Sequence, residues 1–142
     1  MRHIRPFRTE DEAALVALWT AADLVRPWND PRKDIARKLA VQPELFLVAT
    51  EDDTLVGTVM AGYDGHRGWI NYLAVYPAQR KLGLGRALME EAERRLAALG
   101  CVKVNLQIRR DNLDATGFYT HIGYAEDAVV SMGKRLVRDD DV

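Results

Sequence analysis

Residues 75–86, Val75-Tyr76-Pro77-Ala78-Gln79-Arg80-Lys81-Leu82-Gly83-Leu84-Gly85-Arg86, join a strand-like run, Trp69 to Val75, to a long amphipathic helix. In that helix, Gly83 to Leu99, the apolar residues Leu88, Ala92, Leu96 and Leu99 share one face, and Glu and Arg take the other. A strand that turns directly into such a helix buries the apolar face by laying the helix back on a sheet, so a layered α/β domain is expected. Gly100 ends the helix as a residue that adopts a left-handed conformation without a Cβ penalty.

The flanking residues supply the rest of the sheet. Ile4 to Arg8 reads as a first strand, with Pro6 placing it at an edge. Thr9 and Glu12 fit a capping box for a helix whose buried face is Leu15, Leu18, Trp19 and Ala22. Arg26 to Pro31 breaks that helix, and Asp30-Pro31 starts a second one that runs to about Val41. Leu45 to Ala49 is apolar throughout, as in a strand covered on both faces. Asp52-Asp53 marks a hairpin turn into Leu55 to Tyr63, and the polar turn 63–68 leads to Trp69 to Val75. Val102, Val104, Leu106 and Ile108 alternate with polar residues as a strand with one buried face. A last helix carries Ala115, Phe118, Tyr119 and Ile122, and Tyr124 to Leu136 reads as terminal strand material. The order β-α-α-β-β-β-α-β-α-β-β describes a mixed sheet with helices packed on it. One domain over residues 1–142 is expected, with Arg138 to Asp141 as a solvated overhang.

Composition narrows the function. Twenty Lys and Arg against twenty-one Asp and Glu give a net charge of -1, which excludes a broad basic face for nucleic-acid phosphates. The single Cys101 excludes an internal disulfide framework and a thiolate zinc site, and reads as a small buried hydrophobe. His3, His66 and His121 have no ligand spacing, so no metal is implied. The longest apolar runs fall well short of the ~20 residues of a membrane span. No apolar signal core follows Met1-Arg2-His3-Ile4-Arg5, so a cytoplasmic protein is expected.

The glycine turn points to an anion. Gly83 and Gly85 remove Cβ atoms from the approach. The N–H groups at the helix start carry the positive end of its dipole, and Arg80, Lys81 and Arg86 add charge. A diphosphate suits this arrangement; the same residues also suit a plain helix entry with solvated basic side chains. A dinucleotide fingerprint fails because Leu88 stands where a small residue is needed, and no Gly-Lys-Ser/Thr forms a P-loop.

Arg80-x-x-Gly83-x-Gly85 after Leu73-Ala74-Val75 resembles the acetyl-CoA-binding motif of the GCN5-related N-acetyltransferase (GNAT) family. Asn112-x-x-Ala115-x-x-x-Tyr119-x-x-x-Gly123-Tyr124 is similar to that family's last-helix pattern at the expected distance. The resemblance runs from about Arg2 to Leu136. Within it, residues 26–31 and 62–68 look closest to the YpeA-type bacterial acetyltransferases.

The resemblance implies a single α/β (α+β) domain with a mostly antiparallel sheet, one splayed pair of strands and about four helices. It implies acetyl transfer from acetyl-CoA to a small-molecule or peptide amine by direct attack in a ternary complex, and a possible homodimer. The pantetheine arm is expected along Leu73, Ala74 and Val75, where a backbone N–H polarises the thioester carbonyl. The pyrophosphate is expected on Lys81, Leu82, Gly83, Leu84, Gly85 and Arg86, beside Arg80. Asn112 matches a cofactor contact and also suits a helix N-cap. Tyr119 matches the general acid, although it falls on an apolar helix face where tyrosines serve as core. Many family members carry Glu where Gln107 stands, and an amide is no base at neutral pH. The acceptor side is expected at Trp28, Asn29, Tyr63, Asp64 and His66, with Asp64 and His66 as candidate proton relays and equally as ordinary turn residues. Two other functions retain the same turn: a non-catalytic CoA or acyl-CoA sensor, and an N-terminal protein acetyltransferase.

Overall fold

The structure, a computed structural model, describes residues 1–140 and every side chain among them except that of Lys81. Five strands and four helices form three layers: β1 (Arg2–Pro6), α1 (Glu12–Ala21), α2 (Pro31–Leu39), β2 (Phe46–Glu51), β3 (Thr54–Tyr63), β4 (Gly68–Val75), α3 (Leu84–Ala98), β5 (Val104–Leu106) and α4 (Leu113–His121). The sheet order is β1-β2-β3-β4-β5, antiparallel except for the parallel β4–β5 pair. β2 is buried on both faces because the sheet has helices on both. Phe46 and Val48 pack with Leu15, Leu18 and Trp19 of α1, and Leu47 and Ala49 pack with Leu84, Leu88 and Leu96 of α3. Among the described residues, no helix is long and apolar enough to cross a membrane.

Local signals act as their chemistry requires in most places. β1, with Pro6, is an edge strand. Asp52 and Asp53 both take positive φ, 49° and 67°, which matches the twist of the β2–β3 hairpin. Asp30 accepts the N–H groups of Arg32 (2.8 Å) and Lys33 at the start of α2, and Pro31 occupies its first turn.

Four expectations are corrected. Thr9 does not cap α1. Thr9–Asp11 forms a 3₁₀ turn, and the Asp11 carboxylate takes the Arg8 N–H (2.8 Å) and both prongs of the Arg5 fork (2.7 and 2.9 Å). Burial pushes that carboxyl up, but Arg5 and the Arg8 N–H outweigh it and hold it below its usual value. The strand expected from Val102 to Ile108 pairs only over Val104–Leu106, because β4 and β5 part after three residue pairs. Tyr124 to Leu136 contains no strand. Side chains hold part of this segment to the sheet instead: Lys103 and Asn105 reach Asp127 (2.9 Å each), and Gln107 donates to Ser131. The tail is not simple overhang, since the Asp139 side chain is only 4% exposed and is tied to Arg37 and the Asp30 N–H; Asp141 lies outside the described residues.

Three tyrosines bind the layers and set an alkaline limit on the fold. Burial raises the phenols of Tyr72, Tyr119 and Tyr124, the first two respectively in β4 and in α4, with Asp34 and Glu93 adding to the shift at Tyr72 and Tyr124. Tyr119 is pushed up to about 12 from an ordinary 10.0. A raised folded-state value means the stability is fully present below the unfolded value and is lost as pH rises through the folded one. We therefore expect Tm to hold to about pH 9 and then fall, as each buried phenol removes up to about 1.4 kcal/mol of stability per pH unit, less where solvent screens it. Thermal melts of the wild type and Tyr124→Phe across this range check it, the variant losing less of its remaining stability.

Candidate active site

The site is organised by a bulge in β4. Thr58 pairs with Ala74 and Met60 with Asn71, so Tyr72 and Leu73 together face Val59. Tyr72 takes a left-handed φ of 53°, a conformation costing roughly 1–2 kcal/mol for a residue with a Cβ. The extra residue reverses the strand's parity. Ile70 packs on the α3 side, whereas Tyr72, two positions on, packs on the α1 side. Its ring stacks on Trp19 at 3.8 Å between centroids and 10° between planes. Its hydroxyl donates to Asp34 Oδ2 (2.5 Å) and accepts from Asn29 Nδ2 (2.9 Å).

Past Ile70–Leu106 no described strand pairs with β4 on its β5 side. The outward main-chain N–H and C=O groups of Leu73, Ala74 and Val75 are left open to an extended ligand, as unpaired strand edges are. Beyond Val75 the chain makes a 3₁₀ turn, Pro77–Leu82, whose last carbonyl is pinned by Arg2 (2.9 Å). Gly83 then takes φ 76° and opens α3, whose first turn no side chain caps. Its N–H groups and dipole are therefore available to an anion. Arg80 is exposed, and Arg86 pairs with Glu90 at 3.1 Å; the Lys81 side chain lies outside the described residues.

The two glycines do different work. A Cβ on Gly83 would meet nothing within 4 Å, so only its left-handed backbone calls for glycine. A Cβ on Gly85 would lie 3.2 Å from Phe118 Cζ. Gly85 thus clears space for α4 as well, a role that the sequence spacing does not show. The Leu84 side chain is fully buried, which leaves only its backbone for a ligand.

Tyr119 sits beside Phe118 on α4, packed edge-on against Phe118 and Tyr124. Burial keeps its proton in place up to about 12. Its hydroxyl has no hydrogen-bond partner among the described residues. The single sealed polar side-chain atom without a partner there is Trp19 Nε1, so the Tyr119 oxygen keeps access to solvent. Asn112 caps α4, its Oδ1 accepting the Ala115 N–H at 3.1 Å.

On the α1–α2 side of the sheet lies an open cleft of about 630 Å³, lined by Trp28, Asn29, Asp34 and Lys38 together with Tyr72 and Arg109. The structure brings Trp28 and Asn29 to it. Tyr63, Asp64 and His66 are not in its lining. Asp64 closes its own turn by accepting the His66 and Arg67 N–H groups (2.8 and 2.7 Å), which hold its carboxyl below the usual range. Tyr63 is fixed through its main chain to Gln42 (2.8 and 3.0 Å). Sequence reasoning missed Asp34, Lys38, Tyr72 and Arg109. Ile70 and Tyr72 falling on opposite faces is a parity break that only the bulge explains, while the α2 charges look like a solvated helix face.

The sequence model of the acetyltransferase (GNAT) family matches residues 12–124. The chain belongs to that family. An acetyltransferase of Yersinia pestis (strain Pestoides F) is 46% identical over 138 residues, spanning 97% of this chain and 98% of the relative. The ribosomal-protein-S18-alanine N-acetyltransferase of Escherichia coli is similar in structure, with a TM-score of 0.74 at 25% identity, over 89% of this chain and 79% of that one. The PaiA N-acetyltransferase of Thermoplasma acidophilum, solved with coenzyme A, shares the fold, with a TM-score of 0.78 at 21% identity, over 92% and 93%. Acetyl-CoA is the cosubstrate of the family, and the open β4 edge, the left-handed Gly83 and the uncapped α3 start fit it. The YpeA-type likeness is not established by these relatives.

Substitution should separate the glycines. Gly83→Ala is expected to cost roughly 1–2 kcal/mol through backbone handedness, and Gly83→Asn less. Gly85→Ala should lower Tm by pushing Phe118 and weaken catalysis by moving Tyr119. Melting curves with steady-state kinetics on the three variants check this.

Proposed function

We propose that the protein transfers an acetyl group from acetyl-CoA to an amine by direct attack in a ternary complex. The observation that carries the reading is the Tyr119 hydroxyl: protonated, without a protein partner and accessible on a buried ring. A structural tyrosine would have its hydroxyl bonded. A CoA sensor needs no such group, which favours the enzyme. Bound acetyl-CoA supplies the activated acetyl thioester. The N–H groups from Lys81 to Arg86, across the end of the 3₁₀ turn and the start of α3, bind the diphosphate with Arg80. Leu73 to Val75 align the pantetheine arm, and one of their N–H groups donates to the thioester oxygen. Asn112 positions the cofactor from the start of α4. Tyr119 gives its proton to the departing thiolate. The cleft beside Tyr72 receives the amine, with Trp28 as an apolar wall.

Gln107 stays an amide bound to Ser131 and accepts no proton. The likeness to an enzyme whose name specifies a ribosomal-protein alanine keeps a protein N-terminus among the acceptors to test.

Tyr119→Phe is expected to lower kcat by about 10²–10⁴-fold while the acetyl-CoA Kd stays within about twofold. Thiol release over an amine panel and calorimetry of acetyl-CoA binding measure the two. Unchanged turnover would return Tyr119 to the core, and tight binding with no thiol release from any amine would make the chain a sensor.

A further inference from the structure

The cleft beside Tyr72 is lined by four cations, Arg26, Arg37, Lys38 and Arg109, and a single carboxylate, Asp34. That carboxylate is already occupied: it accepts from the Tyr72 hydroxyl (2.5 Å), from Arg37 (3.0 Å) and from Asn29. Arg37 is held further by Asp139 (2.5 Å). Arg26 is turned to the Asp23 and Val25 carbonyls (2.7 and 3.0 Å) and the Asp23 carboxylate (3.4 Å). The remaining two cations have no hydrogen-bond or ion-pair partner among the described residues. Lys38 is only 9% exposed, at the end of α2 over the bare backbone of Gly62, where a Cβ would lie 3.7 Å from its Nζ. Arg109 enters from beyond β5 and is exposed.

A lysine this buried without an ion-pair contact is costly: burial depresses its proton affinity, and the charge of Glu44 offsets that only in part. The arrangement makes sense when something negative completes it. An arginine fork and an ammonium on one cleft are suited to a carboxylate or a phosphate. A second ammonium would meet the unpaired Lys38 and Arg109, with Asp34 already bound by Tyr72, Arg37 and Asn29.

On the acetyl-transfer reading above, we propose that the acceptor is an amine that also carries an anionic group, and that Lys38 and Arg109 bind that group. Polycationic amines are excluded by the same charges.

The test is thiol release from acetyl-CoA with matched amines: amino acids and short peptides with a free carboxylate, the same compounds as carboxamides, amines bearing a phosphate ester, and a polycationic aminoglycoside. The anionic member of a pair is expected to exceed its neutral partner by about 10-fold or more in kcat/KM, through KM. The carboxylate and phosphate arms tell which anion is recognised. Lys38→Met, which keeps the apolar stem, and Arg109→Gln, at an exposed position, should each raise KM for the anionic member by roughly 10-fold or more and leave the carboxamide within about twofold. A wild type that prefers the carboxamide or the polycation, or variants that keep the full preference, would overturn the inference while acetyl transfer stands. If no amine releases thiol, acetyl transfer falls, and calorimetry then compares the N-acetylated acid with its N-acetylated amide. Binding of the acid that Arg109→Gln abolishes supports the charge preference, and equal binding of acid and amide overturns it.

Discussion

The cleft on the α1–α2 side and the open edge of β4 are both arranged around Tyr72, held in a left-handed conformation. An unfavourable backbone angle persists only where its surroundings over-determine it. Here an aromatic stack on Trp19 from below and a hydroxyl clamp from Asp34 and Asn29 do so. Trp19 is committed to that stack at the expense of its own Nε1, which is left sealed without a partner. The bulge so held turns the last residues of β4, and β5 parts from it after Ile70. The open strand edge and the cleft on the α1–α2 side are thus two faces of one distortion.

The layers were legible because they follow from local rules. Leu45 to Ala49 reads as doubly covered from its unbroken apolar run, α2 from Asp30 and Pro31, and the cofactor turn from Gly83 before an amphipathic helix. Distortion and docking were not legible, since they depend on residues far apart in the chain. Nothing near Thr9 says that Arg5 selects Asp11 as its partner and so removes the expected cap. The alternation of Val102 to Ile108 is a true strand pattern, but pairing needs a neighbour, and β4 supplies one for only three residues. Tyr124 to Leu136 has strand-like residues and is tied instead through Asp127 and Ser131, a connection that uses side chains rather than a ladder.

The same reasoning separates what was found of the site from what was missed. Trp28 and Asn29 stand out as an aromatic and polar interruption between helices, and they do reach the cleft. Asp64 and His66 look similar as a pattern, but neither lines the cleft, and Asp64 Oδ1 closes its own turn. Asp34, Arg37 and Lys38 are spaced three and four apart on one side of α2, which in sequence is the signature of a solvated salt-bridged surface. The sheet bulge and the returning tail, through Asp139, convert part of that surface into a wall of the cleft.

The close approach of Gly85 to Phe118 makes two positions thirty-three apart into one steric unit, with the ring next to Tyr119 filling the space a side chain would take. A side chain at position 85 requires the Phe118 ring to give by a few tenths of an ångström. A chimaera that imports the last helix from a relative would have to import the matching residue at position 85 as well. The motif that reads as a device for holding phosphate is therefore also an alignment pin between the turn before α3 and the helix that carries Tyr119, through a single missing methyl group.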